Sequence, residues 1–142
     1  VNYPVGFMAW GGQPAAVPPQ RGPGQLVHIL DLAAGLHATG GKSLLELIGD
    51  LQARAGRYTS VAIVTPSPST EWLDGVGFLL HRRCRVTVVV VDAGAPRPAG
   101  LTAIPSAQRA AGMGVPTYVV RKGEEKQGLT PLTPSAPAWA GN

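Results

Sequence analysis

The chain has 142 residues, enough for one domain with a sizeable core. Its 44% hydrophobic content suits a globular protein, while only 14% is charged and 19 Gly and 14 Pro make it rich in turns. The net charge of +4 comes without a basic stripe interleaved with aromatics, which argues against nucleic acid as a partner. Cys84 is the single cysteine, so an internal disulfide and a cysteine-cluster metal site are excluded, and its place before an apolar run reads as a buried structural thiol.

In chain order, Val5–Trp10 reads as a strand that is apolar on both faces. Gly11-Gly12 turn it, and Ala15–Val17 return as a short arm that Pro18-Pro19 end. Pro23 suits the first turn of a helix. From Gln25 to His37 the apolar positions Leu26, Ile29, Leu30, Ala33, Leu36 and His37 follow helical spacing. Thr39-Gly40-Gly41 break that helix. Ser43 and Glu46 form a capping box for the next one, whose Leu44, Leu47, Ile48 and Leu51 share a face and whose C′ residue is Gly56.

Ser60–Thr65 is a strand that stops at Thr65-Pro66-Ser67-Pro68-Ser69-Thr70. Thr70 caps a helix running to Arg82, with Trp72, Leu73, Val76, Leu79 and Leu80 facing the core. Arg82, Arg83 and Arg85 read as cations at the negative pole of that helix. Arg85–Val91 is β-branched and near-continuous, the mark of a central parallel strand. A Gly/Pro-rich loop leads from Asp92 to a short helix, Ser106–Gly112, and Thr117–Arg121 is the last strand. Residues 1–122 then form one α/β domain, a mostly parallel Rossmann-like sheet flanked by helices on both faces. Residues 123–142 read as an extended Pro/Gly-rich tail, with Trp139 available to pin it.

Candidate chemistry concentrates at the carboxyl edge of the sheet, where open α/β folds place their sites. Gly40-Gly41-Lys42-Ser43 resembles the end of a phosphate-binding loop, but the earlier glycine of that pattern is replaced by Leu36. The helix start at Ser43, with Lys42 beside it, is still a candidate small-anion or nucleotide site. Thr65, Ser67, Ser69 and Thr70 carry hydroxyls without a paired base, and no G-x-S-x-G elbow occurs, so turn and cap duty outweighs nucleophilic catalysis. His28, His37 and His81 do not have metal-ligand spacing. Asp92 ends its strand at the same edge.

Several segments in order resemble one family. Val5–Gly12 resembles its first visible strand, and Val17-Pro18-Pro19-Gln20-Arg21-Gly22 its "VPPGRG" arm. Gly40-Gly41-Lys42-Ser43-Leu44 resembles its "GGTSL" loop, and Ile63-Val64-Thr65-Pro66-Ser67 the strand entering its "ISD" or "ITP" loop. Arg85–Val89 resembles the next strand, and Gly114–Val120 its closing "GIPVYRV" strand. The family is the bacterial domain of unknown function fifty-eight, a von Willebrand factor A-like group, and the resemblance covers about residues 1–122.

That resemblance implies a sheet whose central first strand and metal-binding Asp-x-Ser-x-Ser segment lie before this chain begins. Lys42 stands in the slot of the family's metal-binding Thr, and Thr65-Pro66-Ser67 in that of its second Asp. A lysine ammonium repels a cation, so no metal site and no cofactor are expected. The expected role is a non-catalytic interaction module, partnered by a MoxR-type AAA+ ATPase or a related envelope protein. Its contact surface would be Gly40–Ser43, Thr65–Thr70 and Asp92–Ala95. The chain would then be a cytoplasmic-facing piece of a longer, membrane-anchored protein that does not itself insert. With the first strand missing, either Val5–Trp10 pairs with Ser60–Thr65 or a second copy fills the gap through the open strand edges. Small-anion or nucleotide binding at Gly41, Lys42 and Ser43 is the alternative.

Overall fold

The computed structural model describes residues 3–37, 41–57, 59–92 and 104–132. The protein is α/β, with a four-stranded mixed sheet flanked by helices and a separate two-stranded sheet. It divides into two compact units, Val1–Arg54 and Ala55–Asn142.

The first unit begins with an antiparallel hairpin, β1 (Val5–Trp10) and β2 (Pro14–Gln20). Contrary to expectation, β2 runs through Pro18-Pro19. The register slips between Val5 and Phe7, so β2 carries an extra residue opposite Gly6. A Cβ on Gly6 would lie 2.9 Å from the Val17 carbonyl oxygen and 3.1 Å from the Pro19 nitrogen, so the prolines fit only against glycine. Gln25 then closes the bulge. Its Nε2 donates to the carbonyls of Val5 at 2.6 Å and Pro18 at 3.1 Å.

Gln25 sits in α1 (Pro23–Ala34), which opens with proline in its first turn as expected but stops at Gly35, short of His37. Its helically spaced Leu26 and Leu30 are 61% and 58% exposed, and the buried residue of α1 is Gln25. α2 (Leu44–Arg54) packs on β1 and buries Ile48.

The second unit holds the larger sheet, in the order β3 (Ser60–Thr65), β4 (Arg85–Asp92), β5 (Thr117–Arg121) and β6 (Thr130–Leu132). The first three strands are parallel, and β6 pairs antiparallel with β5. β1 and β3 lie in different sheets, so the direct pairing of Val5–Trp10 with Ser60–Thr65 is not formed. Part of the stretch read as a tail is ordered into this sheet. A 3₁₀ turn at Glu125–Gln127 brings β6 back beside β5. Residues 133–142, including Trp139, lie outside the described residues.

Two crossover helices, α3 (Trp72–His81) and α4 (Ile104–Gly112), connect the parallel strands. Both crossovers step the same way along the sheet, and right-handed connections therefore put both helices on one face. This corrects the expectation of helices on both faces for this unit. The burial pattern agrees: Val61 and Ile63, Val86, Val88 and Val90, and Val119 are buried, whereas Val64 is exposed on the other face. Trp72, Leu73, Val76 and Leu79 of α3 fill the space above, as the spacing predicts, but Leu80 turns outward. Ala107, Ala110 and Ala111 let α4 approach the sheet closely. Cys84 is buried beside Gly56, its Sγ 3.9 Å from the Gly56 carbonyl oxygen.

Candidate functional site

In the first unit, the capping box at the start of α2 is formed. The Ser43 N–H donates to Glu46 Oε2 at 2.7 Å, and the Glu46 N–H donates to Ser43 Oγ at 3.2 Å. The Leu47 N–H closes on the Ser43 carbonyl at 3.0 Å. The Ser43 backbone N–H, followed by its side chain, holds the Glu46 carboxyl below its ordinary value, and the nearby Lys42 charge adds to this.

Lys42 is engaged as well. Its Nζ donates to Asp50 Oδ2 at 2.5 Å and lies 4.8 Å from the centre of the Trp10 ring. An anion arriving at this helix start would compete with Glu46 for the same N–H groups and would draw Lys42 from Asp50. Gly41 is exposed beside it, whereas Gly40 lies outside the described residues.

In the second unit, the loop from β3 to α3 is built by its own hydroxyls. The Ser67 N–H donates to Thr65 Oγ1 (3.1 Å), the Ser69 N–H to Ser67 Oγ (3.2 Å), and the Glu71 N–H to Ser69 Oγ (3.3 Å). Each hydroxyl thus serves the N–H two residues later, and the intervening Pro66 and Pro68 have no N–H to serve. Thr70 contributes its backbone carbonyl, which accepts from the Leu73 N–H at 3.1 Å. No side chain caps the N-terminus of α3, so the expected Thr70 hydroxyl cap is not made.

Asp92 ends β4, two residues beyond Val90, which is the register partner of Thr65. Its carbonyl accepts from the Lys122 N–H at 3.0 Å. Residues 93–95, the rest of that candidate surface, lie outside the described residues. The sheet thus brings Thr65, Ser67, Ser69, Thr70 and Asp92 to one edge. Lys42 and Ser43 belong to the first unit. His81 ends α3, about 15 Å of helix away from the loop, so it is no base for these hydroxyls.

Two participants were not legible in the sequence. Ser106 of α4, fully buried, donates its Oγ–H to the Ser67 carbonyl at 3.3 Å and ties the loop to a helix 39 residues away. Trp72, at the first turn of α3, is 1% exposed, and its Nε1 has no acceptor among the described residues.

Elsewhere in the first unit, an open concavity of about 780 Å³ lies between the β1–β2 turn and the end of α1, with Asp31 as its one charged lining residue. None of the candidate residues lines it. Among the described residues no group of three or more His, Cys, Asp or Glu could hold a metal ion, and no helix is long and apolar enough to cross a membrane. Compared with known proteins, the chain matches no family model, no curated protein and no solved structure.

Proposed function

We propose that the chain is a non-catalytic protein–protein interaction module with a degenerate von Willebrand A-like site. The observation that carries this reading is the hydroxyl ladder of Thr65, Ser67 and Ser69. Hydroxyls that accept from their own backbone suit a shaped surface better than a nucleophile or a cation site. Lys42 and Ser43 support the same reading, because Asp50 and Glu46 already occupy the groups that an anion would need.

The resemblance to the bacterial domain of unknown function fifty-eight points to a MoxR-type AAA+ ATPase as the partner. The contact surface would be the Thr65–Thr70 loop with Asp92. Affinity capture from the source cells is expected to retrieve an AAA+ ATPase with the native chain and to lose it with Ser69→Glu. A thermal-shift series with ATP, GTP and phosphate tests the rival reading, since a ligand of the folded state raises its melting temperature. A rise that disappears in Lys42→Met would replace the interaction module with an anion-binding domain.

A further inference from the structure

The charge of this protein is distributed unevenly. The first unit carries three Lys or Arg and three Asp or Glu; the second carries nine Lys or Arg and five Asp or Glu. The whole excess of +4 is therefore in the second unit, and one edge of its sheet carries cations without acids among the described residues.

Glu71 stands just before α3 and Asp74 in its first turn, Asp92 at the end of β4, and Glu124 in the turn after β5. These four acids stand toward the carboxyl edge, together with Arg121 and Lys122. The amino edge holds Arg57 before β3, His81 to Arg83 after α3, Arg85 opening β4, and Arg109 in the last turn of α4. No acid stands there among the described residues.

Two contacts gather these cations. Arg82 Nη2 donates to the Ala55 carbonyl at 3.3 Å, and Cys84 reaches the Gly56 carbonyl, next to Arg57. The Arg85 N–H donates to the Thr59 carbonyl at 3.0 Å, which aligns the two strand starts. Arg82 is structural on this account. Arg57, Arg83, Arg85 and Arg109 are exposed, and no ion pair holds them among the described residues.

Arg83 adds an independent observation. The Cys84 N–H donates to the Leu79 carbonyl (3.0 Å) and the Arg83 N–H to the Leu80 carbonyl (2.9 Å), which makes a Schellman turn. Arg83 occupies its left-handed position at φ 63°, where glycine is the usual residue. Among the described residues the other positions of positive φ are glycines: Gly12, Gly22, Gly114, Gly123 and Gly128. A long cation held at a strained position that stability does not favour signals use of the cation.

We propose that the amino edge of the second unit is a docking surface for an acidic polypeptide segment. It is independent of the carboxyl-edge contact proposed above. The chemistry favours carboxylates for two reasons. Every non-histidine cation of the cluster is arginine, whose planar fork takes both oxygens of a carboxylate. Arg57 and Arg85 flank adjacent strand starts, about 4.8 Å apart, whereas a duplex binder spreads its cations along the rows of phosphates.

The test uses the whole chain and a fluorescent oligo-glutamate peptide, read by anisotropy at low salt. The peptide should bind saturably, and added salt should release it. Arg85→Gln and Arg83→Gly should each weaken binding roughly fivefold. Arg83→Gly should do so without lowering the melting temperature, a pairing that loss of folding cannot produce. Arg121→Gln, an exposed cation of the opposite edge, should bind like the native chain. The proposal is overturned if the peptide does not bind, if both edge variants bind it like the native chain, or if a short DNA duplex or phosphatidylserine vesicles bind more tightly than the peptide.

Discussion

The Gln25 side chain donates to the carbonyl of Val5, twenty residues earlier, at 2.6 Å. It donates also to Pro18, and the pair of bonds joins both strands of the hairpin to the start of α1. Those carbonyls border a bulge in which Pro19 has no N–H to offer, so a side-chain amide supplies the donors.

Replacing Gln25 with Leu keeps the volume and removes both donors. The expected loss is about 0.5–1.5 kcal/mol, the net contribution of a hydrogen bond between partly buried groups. Urea unfolding followed by circular dichroism measures it. A midpoint equal to that of the native chain would remove Gln25 from its role as the clamp.

Glu46 makes the stability of the first unit depend on pH. Its folded carboxyl is held below its unfolded value, so its contribution is complete above the unfolded value of about 4.3 and is lost as pH falls through the lower folded value. Glu46→Gln should therefore flatten the stability profile on the acid side and leave the slope above about pH 6 unchanged. Ser43→Ala should cost about 0.5–2 kcal/mol at neutral pH through loss of the cap.

Leu79 and Leu80 are neighbours with opposite surroundings, fully buried and 38% exposed. Leu79→Ala should destabilise by about 2–5 kcal/mol. Leu80→Ala should stay within about 0.5–1 kcal/mol. Thermal or urea unfolding of the two variants separates them, and equal losses would mean that α3 is rotated from the orientation described.

Ser67 holds two ends of the carboxyl-edge loop, accepting from Ser69 through its hydroxyl and from Ser106 through its carbonyl. Ser67→Ala and Ser106→Ala should each cost about 1 kcal/mol, one bond apiece. The double variant should fall short of or exceed the sum if the two bonds brace the same loop, because neighbours that share a partner are not additive. Strict additivity would make them independent.

The sequence by itself determined what short-range chemistry determines. The strands Ser60–Thr65 and Thr117–Arg121, the Ser43–Glu46 box and the buried face of Trp72, Leu73, Val76 and Leu79 rest on spacings of two to four residues. The hydroxyl ladder was legible in the same way, since Thr, Ser and Ser alternate with two prolines. Tertiary structure alone decided the rest. Leu26 and Leu30 have core-like spacing, yet helical spacing says only which residues share a face, and not whether anything covers it. Gln25 to Val5, Arg82 to Ala55 and Ser106 to Ser67 join residues 20, 27 and 39 apart, and no local pattern encodes such pairs. The gathering of Arg57, Arg83, Arg85 and Arg109 at one edge is of the same kind. It follows from where the crossovers return each helix end, which a list of scattered charges does not contain.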